Sequence, residues 1–279
     1  MNYNENSAIG VFDSGIGGLT AVKELIKLLP NENIIYLGDT ARVPYGTRSP
    51  QTIQKYAAQN FRFLKSFNIK MIIAACGTVS SVLSTMPSYS DGDCLNGFFY
   101  TGVIRPAAQA AVSATKNKKI GVIGTDATVR SQSYKSLIQS ILPGAEVYQK
   151  ACPMFVPLVE NGYTQRDCIP CVEIAKEYLT PLKEAGIDTL ILGCTHYPII
   201  SDVIADIMGS GVKLISSGGE AGRYAKAVLA ENELLSRRQE KGSITLYCTD
   251  SAELFCKNAE HFLDGITPME IKTCTLDSE

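Results

Sequence analysis

Two cysteines in this sequence each follow an apolar run and precede small polar residues. Cys76 lies in AACGTVSS at residues 74–81, and Cys194 lies in LILGCTHYP at residues 190–198. A single cysteine at the end of a buried strand is most often an inert, small apolar side chain. Two thiols at matching positions suit another chemistry, in which one thiolate removes a proton from carbon and the other thiol delivers a proton to the opposite face. The ordinary pKa of a thiol, about 8.5, lies near enough to neutrality for both forms to be used.

Ionisable side chains and predicted helix starts lie near both thiols. Asp13 ends an apolar run and is expected to help the first thiol exchange its proton, while His196 is two residues beyond the second thiol. A structural histidine remains the alternative reading of His196. Helices are predicted to start at 78–80 and at 198–200, just after the two thiols. The free N–H groups of a helix start favour a thiolate and can also hold a substrate carboxylate.

Short β-branched runs alternate with longer amphipathic segments, which predicts parallel sheets flanked by helices. The predicted strands are 9–12, 34–37, 71–75, 119–123, 189–192 and 244–247. The predicted helices are 17–29, 49–67, 133–141 and 172–185. Ligands of such sheets bind beyond the carboxyl ends of the strands. Four reactive side chains follow strands directly and are therefore expected around one site: Asp13, Asp39, Cys76 and Cys194.

Two segments of the chain look like repeats. IGVFD at 9–13 corresponds to IGVIG at 120–124, and each is followed further along by an apolar run that ends in a cysteine. The predicted fold class is α/β, with two pseudo-symmetric lobes, each a parallel sheet flanked by helices, and with the active site in the cleft between them. We expect residues 1–99 plus 210–279 to form the first lobe and residues 100–209 to form the second.

The charge, apolar runs and cysteines of the sequence indicate which classes of binding partner are not expected. The net charge of the 279 residues is −2 and the Lys and Arg residues form no basic stripe, so a nucleic-acid partner is not expected. The apolar runs are too short to span a bilayer and the start lacks a secretory signal, which predicts a cytoplasmic protein without a membrane partner. The nine cysteines are expected to be free thiols. The CxxC of Cys168 and Cys171 lacks further ligands, so no metal is expected.

The glycine-rich segment DSGIGG at 13–18 has some features of a dinucleotide fingerprint. However, Thr20 stands where that fingerprint needs a third glycine or alanine. Asp13 would also repel a pyrophosphate. A small acid is therefore favoured over a nucleotide as the ligand.

The motifs IGVFDSGIGGLT, GDTARVPYG, IGVIGT, LVENG and LILGCTHYP resemble those of the cofactor-independent aspartate/glutamate racemase family, and its glutamate-specific members in particular. The resemblance covers residues 9–265. It implies an isomerase that interconverts L-glutamate and D-glutamate and supplies D-glutamate for peptidoglycan, and thus for the cell wall and cell shape. It also implies two α/β lobes, a homodimer, and no cofactor, neither pyridoxal phosphate nor a metal.

The resemblance also implies roles for individual residues. Cys76 and Cys194 become the catalytic acid/base pair, with Asp13 assisting the first thiol. Glu160 and His196 become the groups that assist the second thiol. The matching substrate-binding positions are Asp13, Ser14, Tyr45, Gly46, Gly77, Thr78, Thr195 and His196. Without the resemblance, Glu160 reads as a solvated turn carboxylate.

One position departs from the family pattern. The motif after the first cysteine is usually Cys-Asn-Thr, and here it is Cys76-Gly77-Thr78. Glycine keeps a backbone N–H but has no side chain, and it adds flexibility. We expect Gly77 to mark a changed way of holding the substrate, with both thiols still in use. Two alternatives stay open, namely a racemase of aspartate or a related amino acid, and a catalytically weak relative that binds or regulates.

Overall fold

The computed structural model describes residues 3–86, 88–95, 97–268 and 270–276. Within these ranges the chain forms two β-sheets with α-helices on their faces, which confirms the predicted α/β class. None of the described helices is long and apolar enough to cross a membrane.

The strands of the two sheets are, in chain order, β1 (Ala8–Asp13), β2 (Ile34–Gly38), β3 (Ile69–Ala74), β4 (Cys94–Leu95), β5 (Phe98–Thr101), β6 (Lys119–Gly124), β7 (Glu146–Ala151), β8 (Thr189–Leu192), β9 (Lys213–Ser216), β10 (Ile244–Cys248) and β11 (Glu270–Thr273). The first sheet has the order β11-β10-β2-β1-β3-β5-β4, and the second has the order β7-β6-β8-β9. All neighbouring strands are parallel except β4 and β5. The short β4 is therefore a departure from the prediction that each sheet is parallel throughout.

The helices are α1 (Leu19–Leu28), α2 (Pro50–Lys65), α3 (Gly77–Leu83), α4 (Ile104–Ala114), α5 (Asp126–Ser131), α6 (Ser133–Ile141), α7 (Phe155–Glu160), α8 (Ile169–Glu184), α9 (Ser201–Met208), α10 (Ser217–Glu231) and α11 (Ala252–Leu263). The predicted start of α2 is correct, because the hydroxyl of Ser49 accepts the backbone N–H of Thr52 and Pro50 occupies the first position. The helix start predicted at 198–200 is instead a 3₁₀ turn, which often precedes an α-helix, and α9 begins at Ser201.

The two sheets repeat one topology. The run β2-β1-β3-β5 of the first sheet corresponds to the run β7-β6-β8-β9 of the second. The segments IGVFD and IGVIG form the equivalent strands β1 and β6, and the two cysteines follow the equivalent strands β3 and β8. The predicted pseudo-symmetry of the two lobes is therefore present in the order and direction of the strands.

The change from one sheet to the other falls at positions different from the predicted lobe boundaries. Residues 209–211 form the turn between α9 and β9, and β9 pairs with β8 in the second sheet. The chain rejoins the first sheet at β10, after α10 has packed against both α1 and α4. The division into 1–99 plus 210–279 and 100–209 stays a prediction. β5 crosses its first limit, and β9 lies within 210–279 although it pairs with the second sheet.

The two sheets share an apolar interior. β1 is buried along its whole length, as expected of a central parallel strand that is covered on both faces. One apolar cluster contains Ile9 and Val11 of β1 together with Ile123 of β6 and Leu192 of β8. This shared core fixes the carboxyl ends of both sheets next to one another, and the candidate site lies there.

Candidate active site

A cavity of about 450 Å³ lies between the carboxyl ends of β1, β3, β6 and β8. The candidate residues that line it are Ser14, Tyr45, Gly46, Cys76, Gly77, Thr78, Glu160, Cys194, Thr195 and His196. Asp13 and Asp39 are the two candidates that do not reach its wall. The positions predicted from the motifs are therefore brought together from both sheets into one cleft.

Cys76 is held as a buried thiol on the first-lobe side of the cavity. It occupies the N-cap position of α3, and its Sγ donates a hydrogen bond to the Ser14 hydroxyl at 3.4 Å. Burial, together with the negative charge of Asp13, raises the pKa of Cys76 to about 12. The hydrogen bond between Cys76 and Ser14 and the backbone N–H of Val79 in α3 oppose this rise without cancelling it. The protonated form of Cys76 is therefore favoured at neutral pH.

Cys194 belongs to a chain of three ionisable groups on the opposite side. Its Sγ lies 4.0 Å from Nδ1 of His196, and Nε2 of His196 lies 3.0 Å from Oε1 of Glu160. Burial disfavours the charged imidazole, but the hydrogen bonds and charges of Cys194 and Glu160 raise the pKa of His196 to about 10. His196 is therefore an imidazolium at neutral pH, and it can stabilise a thiolate at Cys194.

Asp13 lies behind the first thiol rather than in the cavity wall. Its Oδ2 accepts the backbone N–H groups of Gly15 and Gly18 at 3.3 and 2.9 Å, just before α1 begins. Its Oδ1 is buried and has no hydrogen-bond partner among the described residues. The carboxylate thus occupies the glycine turn that a nucleotide phosphate would need, and one of its oxygens remains available to accept a proton.

The segment 43–47 forms a further wall of the cavity, and buried Asp39 holds it in place. Oδ2 of Asp39 accepts Nε–H of Arg42 at 2.7 Å and the hydroxyl of Tyr45, while Oδ1 accepts the hydroxyl of Thr249 at 3.0 Å. All five residues of this segment line the cavity, and the Tyr45 hydroxyl is bound to Asp39. Asp39 follows its strand as predicted, but its carboxylate supports the wall of the site and does not line it.

The cavity-lining residues that were not predicted from the sequence include Thr125 and Asp126. The Thr125 hydroxyl lies 3.1 Å from the Thr78 hydroxyl and caps α5 through the N–H of Thr128. The repeat carried the signal that was missed. Aligning IGVFD with IGVIG puts Thr125 at the position equivalent to Ser14, so both lobes place a hydroxyl one residue after the central strand.

Basic side chains at this cavity are limited to His196, since its described lining contains neither Lys nor Arg. Apart from His196, the groups available to hold a carboxylate ligand are hydroxyl groups and backbone N–H groups, such as those at the start of α3. Elsewhere, the described residues contain no group of three or more His, Cys, Asp or Glu side chains placed to hold a metal ion.

Two glycines allow the lobes to approach closely at the site. A Cβ at Gly17 would overlap the imidazole of His196 and the hydroxyl of Thr195. A Cβ at Gly77 would lie less than 3.0 Å from the carbonyl oxygen of Gly193. Cβ atoms in real structures essentially never come so close to another atom. Gly77 is expected to add flexibility and to mark a changed way of holding the substrate, and the structure adds that its backbone packs closely against Gly193 of the other lobe.

A doubled α/β fold with one thiol at the equivalent strand end of each lobe is the arrangement expected of a two-thiol racemase. Residues 9–225 match the Asp/Glu/Hydantoin racemase family. The chain belongs to this family.

Relatives within the family are similar over almost the whole chain. The glutamate racemase of Geobacter metallireducens is 43% identical over 259 residues, which cover 92% of this chain and 93% of the relative. The glutamate racemase of Bacillus cereus is 43% identical over 90% of both chains.

Solved structures agree with the fold. The glutamate racemase of Bacillus anthracis superposes with a TM-score of 0.88 at 35% identity and covers 98% of both chains. The glutamate racemase of Francisella tularensis in complex with D-glutamate superposes with a TM-score of 0.86 at 39% identity, covering 99% of this chain and 100% of the other.

Proposed function

We propose that this protein is a racemase that interconverts L-glutamate and D-glutamate, with Cys76 and Cys194 as the acid/base pair. The observation that carries the proposal is the placement of the two thiols at equivalent strand ends of one cavity. The relatives that act on glutamate support the choice of substrate over aspartate. The hydroxyl and backbone N–H groups of the described cavity lining are the donors available for the two carboxylates of glutamate.

The two thiols start the reaction in different protonation states. Cys76 is a thiol, because burial and Asp13 raise its pKa to about 12. Cys194 is assigned the role of the base, because Nδ1 of His196 lies 4.0 Å from its sulfur and a neighbouring imidazolium favours a thiolate. One base and one acid are then ready on opposite sides of a bound amino acid.

The proton transfers follow from this assignment. The Cys194 thiolate takes the α-hydrogen, so that a C–H bond breaks and an S–H bond forms, and the electron pair moves into the α-carboxylate. The Cys76 thiol then gives its proton to the opposite face of the α-carbon, which inverts the stereocentre and leaves Cys76 as the thiolate. The reverse reaction uses the same groups in exchanged roles, with Asp13 assisting Cys76 and with His196 and Glu160 assisting Cys194.

Substrate binding is assigned to the groups that surround the thiols. The hydroxyls of Ser14, Thr78 and Thr195 and the backbone N–H groups of Gly46 and Gly77 are the donors for the two carboxylates. Tyr45 contributes through its backbone, because its hydroxyl is bound to Asp39. His196 contributes its positive charge.

The cellular role proposed is the supply of D-glutamate for peptidoglycan in the cytoplasm, by a homodimer without a cofactor. Sedimentation of the purified protein tests the dimer. The division of each subunit into the two predicted lobes, 1–99 plus 210–279 and 100–209, belongs to the same proposal.

The reaction is tested by incubating the protein with L-glutamate, and separately with L-aspartate, in D₂O. Proton NMR follows the loss of the α-hydrogen and chiral chromatography follows the product. The expected result is D-glutamate that carries deuterium, with activity that survives dialysis against a chelator and a carbonyl reagent. If only aspartate exchanges its α-hydrogen, aspartate replaces glutamate as the proposed substrate. If neither acid exchanges it, a binding or regulatory protein becomes the better proposal.

Replacement of each thiol tests the roles of the cysteines. Cys76→Ser and Cys194→Ser should each abolish racemisation, because a serine hydroxyl is a far weaker acid than a thiol. Cys256→Ser is the matched control, since this thiol is exposed and distant from the cavity. A kcat above about a tenth of the wild-type value, a loss below about 1.4 kcal/mol, would remove that cysteine from the pair.

A further inference from the structure

We infer that Gly77 is a positioning residue that sets the separation of the two thiols by allowing its backbone to pack against Gly193. The inference rests on the proposed function and deepens it.

The contact joins backbone to backbone across the two lobes. A Cβ on Gly77 would meet the carbonyl oxygen of Gly193 well inside normal contact distance, with the carbonyl carbon at 3.5 Å. A flexible side chain can rotate away from a new methyl group, but a backbone carbonyl cannot. The φ angle of Gly77 is outside the left-handed region that favours glycine, so close approach is the reason that this position needs glycine.

Gly193 is itself fixed and cannot yield easily. Its N–H donates to the carbonyl of Ile123 at 2.8 Å, which extends the pairing of β8 with β6. A Cβ on Gly193 would also lie 2.7 Å from that carbonyl oxygen. A side chain at 77 must therefore displace the start of α3 from the second lobe.

The residues in contact are the chain neighbours of the two thiols. Cys76 precedes Gly77 directly, and Cys194 follows Gly193 directly. An increase in the separation of Gly77 from Gly193 therefore also changes the separation of the two sulfur atoms. Two hydrogen bonds cross the lobes nearby, Thr78 to Thr125 at 3.1 Å and the Thr20 hydroxyl to the carbonyl of Thr195 at 2.8 Å.

The chemical consequence lies in the coupling of the two proton transfers. One thiol must remove a proton while the other lies within reach of the opposite face. When the second thiol is displaced, the carbanion is more often reprotonated from the side where it lost its proton. That event exchanges hydrogen for deuterium without inverting the stereocentre, so the ratio of exchange to inversion reports the spacing of the thiols.

The experiment compares wild type, Gly77→Ala and Gly211→Ala with L-glutamate in D₂O. Gly211 is the control because a Cβ there meets no atom within 4 Å and the residue is remote from the cavity. For Gly77→Ala, kcat should fall about 10-fold to 100-fold, as expected of a misplacement near 1 Å. KM should change less than kcat, and the ratio of exchange to inversion should rise. Gly211→Ala should match the wild type in all three.

Each other result overturns the inference. Wild-type kcat and an unchanged ratio in Gly77→Ala would mean that the backbone relaxes without moving the thiols. A variant that loses its native melting transition would mean that the contact holds the fold and not the spacing of the thiols.

If the wild-type protein has no activity on glutamate, the proposed function is overturned. The inference about Gly77 is then tested by a measurement that does not need catalysis. Dibromobimane becomes fluorescent when it bridges two thiols, and mass spectrometry identifies the bridged pair. The yield of the bridge between Cys76 and Cys194 should fall in Gly77→Ala relative to Gly211→Ala. Equal yields would overturn the inference.

Discussion

The two thiols of the site have opposite electrostatic surroundings. Cys76 has the Ser14 hydroxyl as a partner and the carboxylate of Asp13 nearby, which keep it protonated. Cys194 has an imidazolium whose far nitrogen is bound by Glu160. In the proposed reaction, one fold repeat therefore supplies the acid and the other supplies the base. The carboxylate of Glu160 is half exposed, so solvent screens its charge and its effect depends on the direct hydrogen bond at 3.0 Å.

Glu160→Gln should lower kcat by up to about 100-fold and move the alkaline limb of the pH–rate profile to lower pH. The carboxylate contributes to raising the pKa of His196 from its ordinary 6.5 to about 10, so its removal deprotonates the imidazolium earlier. The profile of kcat/KM between pH 6 and 10.5 measures the shift. Glu177→Gln, exposed on α8, is the control. An unmoved alkaline limb would show that Glu160 does not govern His196.

The same ion pair predicts how stability depends on pH. The pKa of His196 is raised on folding, so the stabilisation is complete below about pH 6.5 and is lost as the pH rises through about 10. The difference in melting temperature between wild type and Glu160→Gln should follow that course. A difference that grew with rising pH would have the wrong sign and would contradict the assignment of the pair.

At the scale of elements, the loop between β2 and α2 is positioned by one buried carboxylate. Asp39 is fully buried and accepts hydrogen bonds from Arg42, Tyr45 and Thr249. Burial and the charge of Asp39 raise the pKa of Tyr45, so its hydroxyl stays protonated and donates. Segment 43–47 therefore forms a fixed wall and does not behave as a free surface loop.

Asp39→Asn should raise KM more than it lowers kcat, because the segment that holds the substrate loosens while the thiols remain in place. The loss of charged hydrogen bonds should also lower the free energy of unfolding by about 1.5–3 kcal/mol. Steady-state kinetics and urea unfolding measure the two effects. Tyr45→Phe removes only one of the bonds and should give a smaller change of the same kind. A larger fall in kcat than rise in KM would assign Asp39 to the chemistry.

At the scale of the whole molecule, a buried ion pair holds in place the segment 234–236, through which the chain returns to the first sheet. Lys70 of β3 is fully buried and lies 2.5 Å from Glu32. Its Nζ also donates to the carbonyls of Glu5 and Leu234, and Glu32 accepts the backbone N–H of Ser236. Residues 234–236 lead from α10 toward β10, so this cluster anchors the return of the chain at the end of the sheet opposite the site.

Lys70→Met should lower the free energy of unfolding by about 3–5 kcal/mol, because it leaves Glu32 buried without its cation. Urea unfolding measures the change. The double variant Lys70→Met with Glu32→Gln should recover part of the loss, since no buried charge then remains. Lys176→Met breaks an exposed pair with Glu173 and should cost less than about 0.5 kcal/mol. Equal losses for Lys70→Met and Lys176→Met would contradict the anchoring role.

The sequence by itself determined the features that depend on near neighbours in the chain. Buried strands such as β1 and β3 are short apolar runs, helix starts such as Ser49-Pro50 follow from local hydrogen bonding, and His196 is two residues from its thiol. The repeat of IGVFD in IGVIG was enough to predict two equivalent lobes, because the same pattern of buried residues forms the same strand twice.

Tertiary structure decided the contacts between residues that are remote in the chain. Glu160 of α7 contacts His196, and the Tyr45 hydroxyl donates a hydrogen bond to Asp39. Thr125 and Thr78 lie within hydrogen-bonding distance across the two lobes, and β9 pairs with the second sheet. The apposition of Gly77 and Gly193 belongs to the same group. Hydrophobic periodicity fixes which face of an element is buried, but it does not fix which other element covers that face or how closely the two backbones approach.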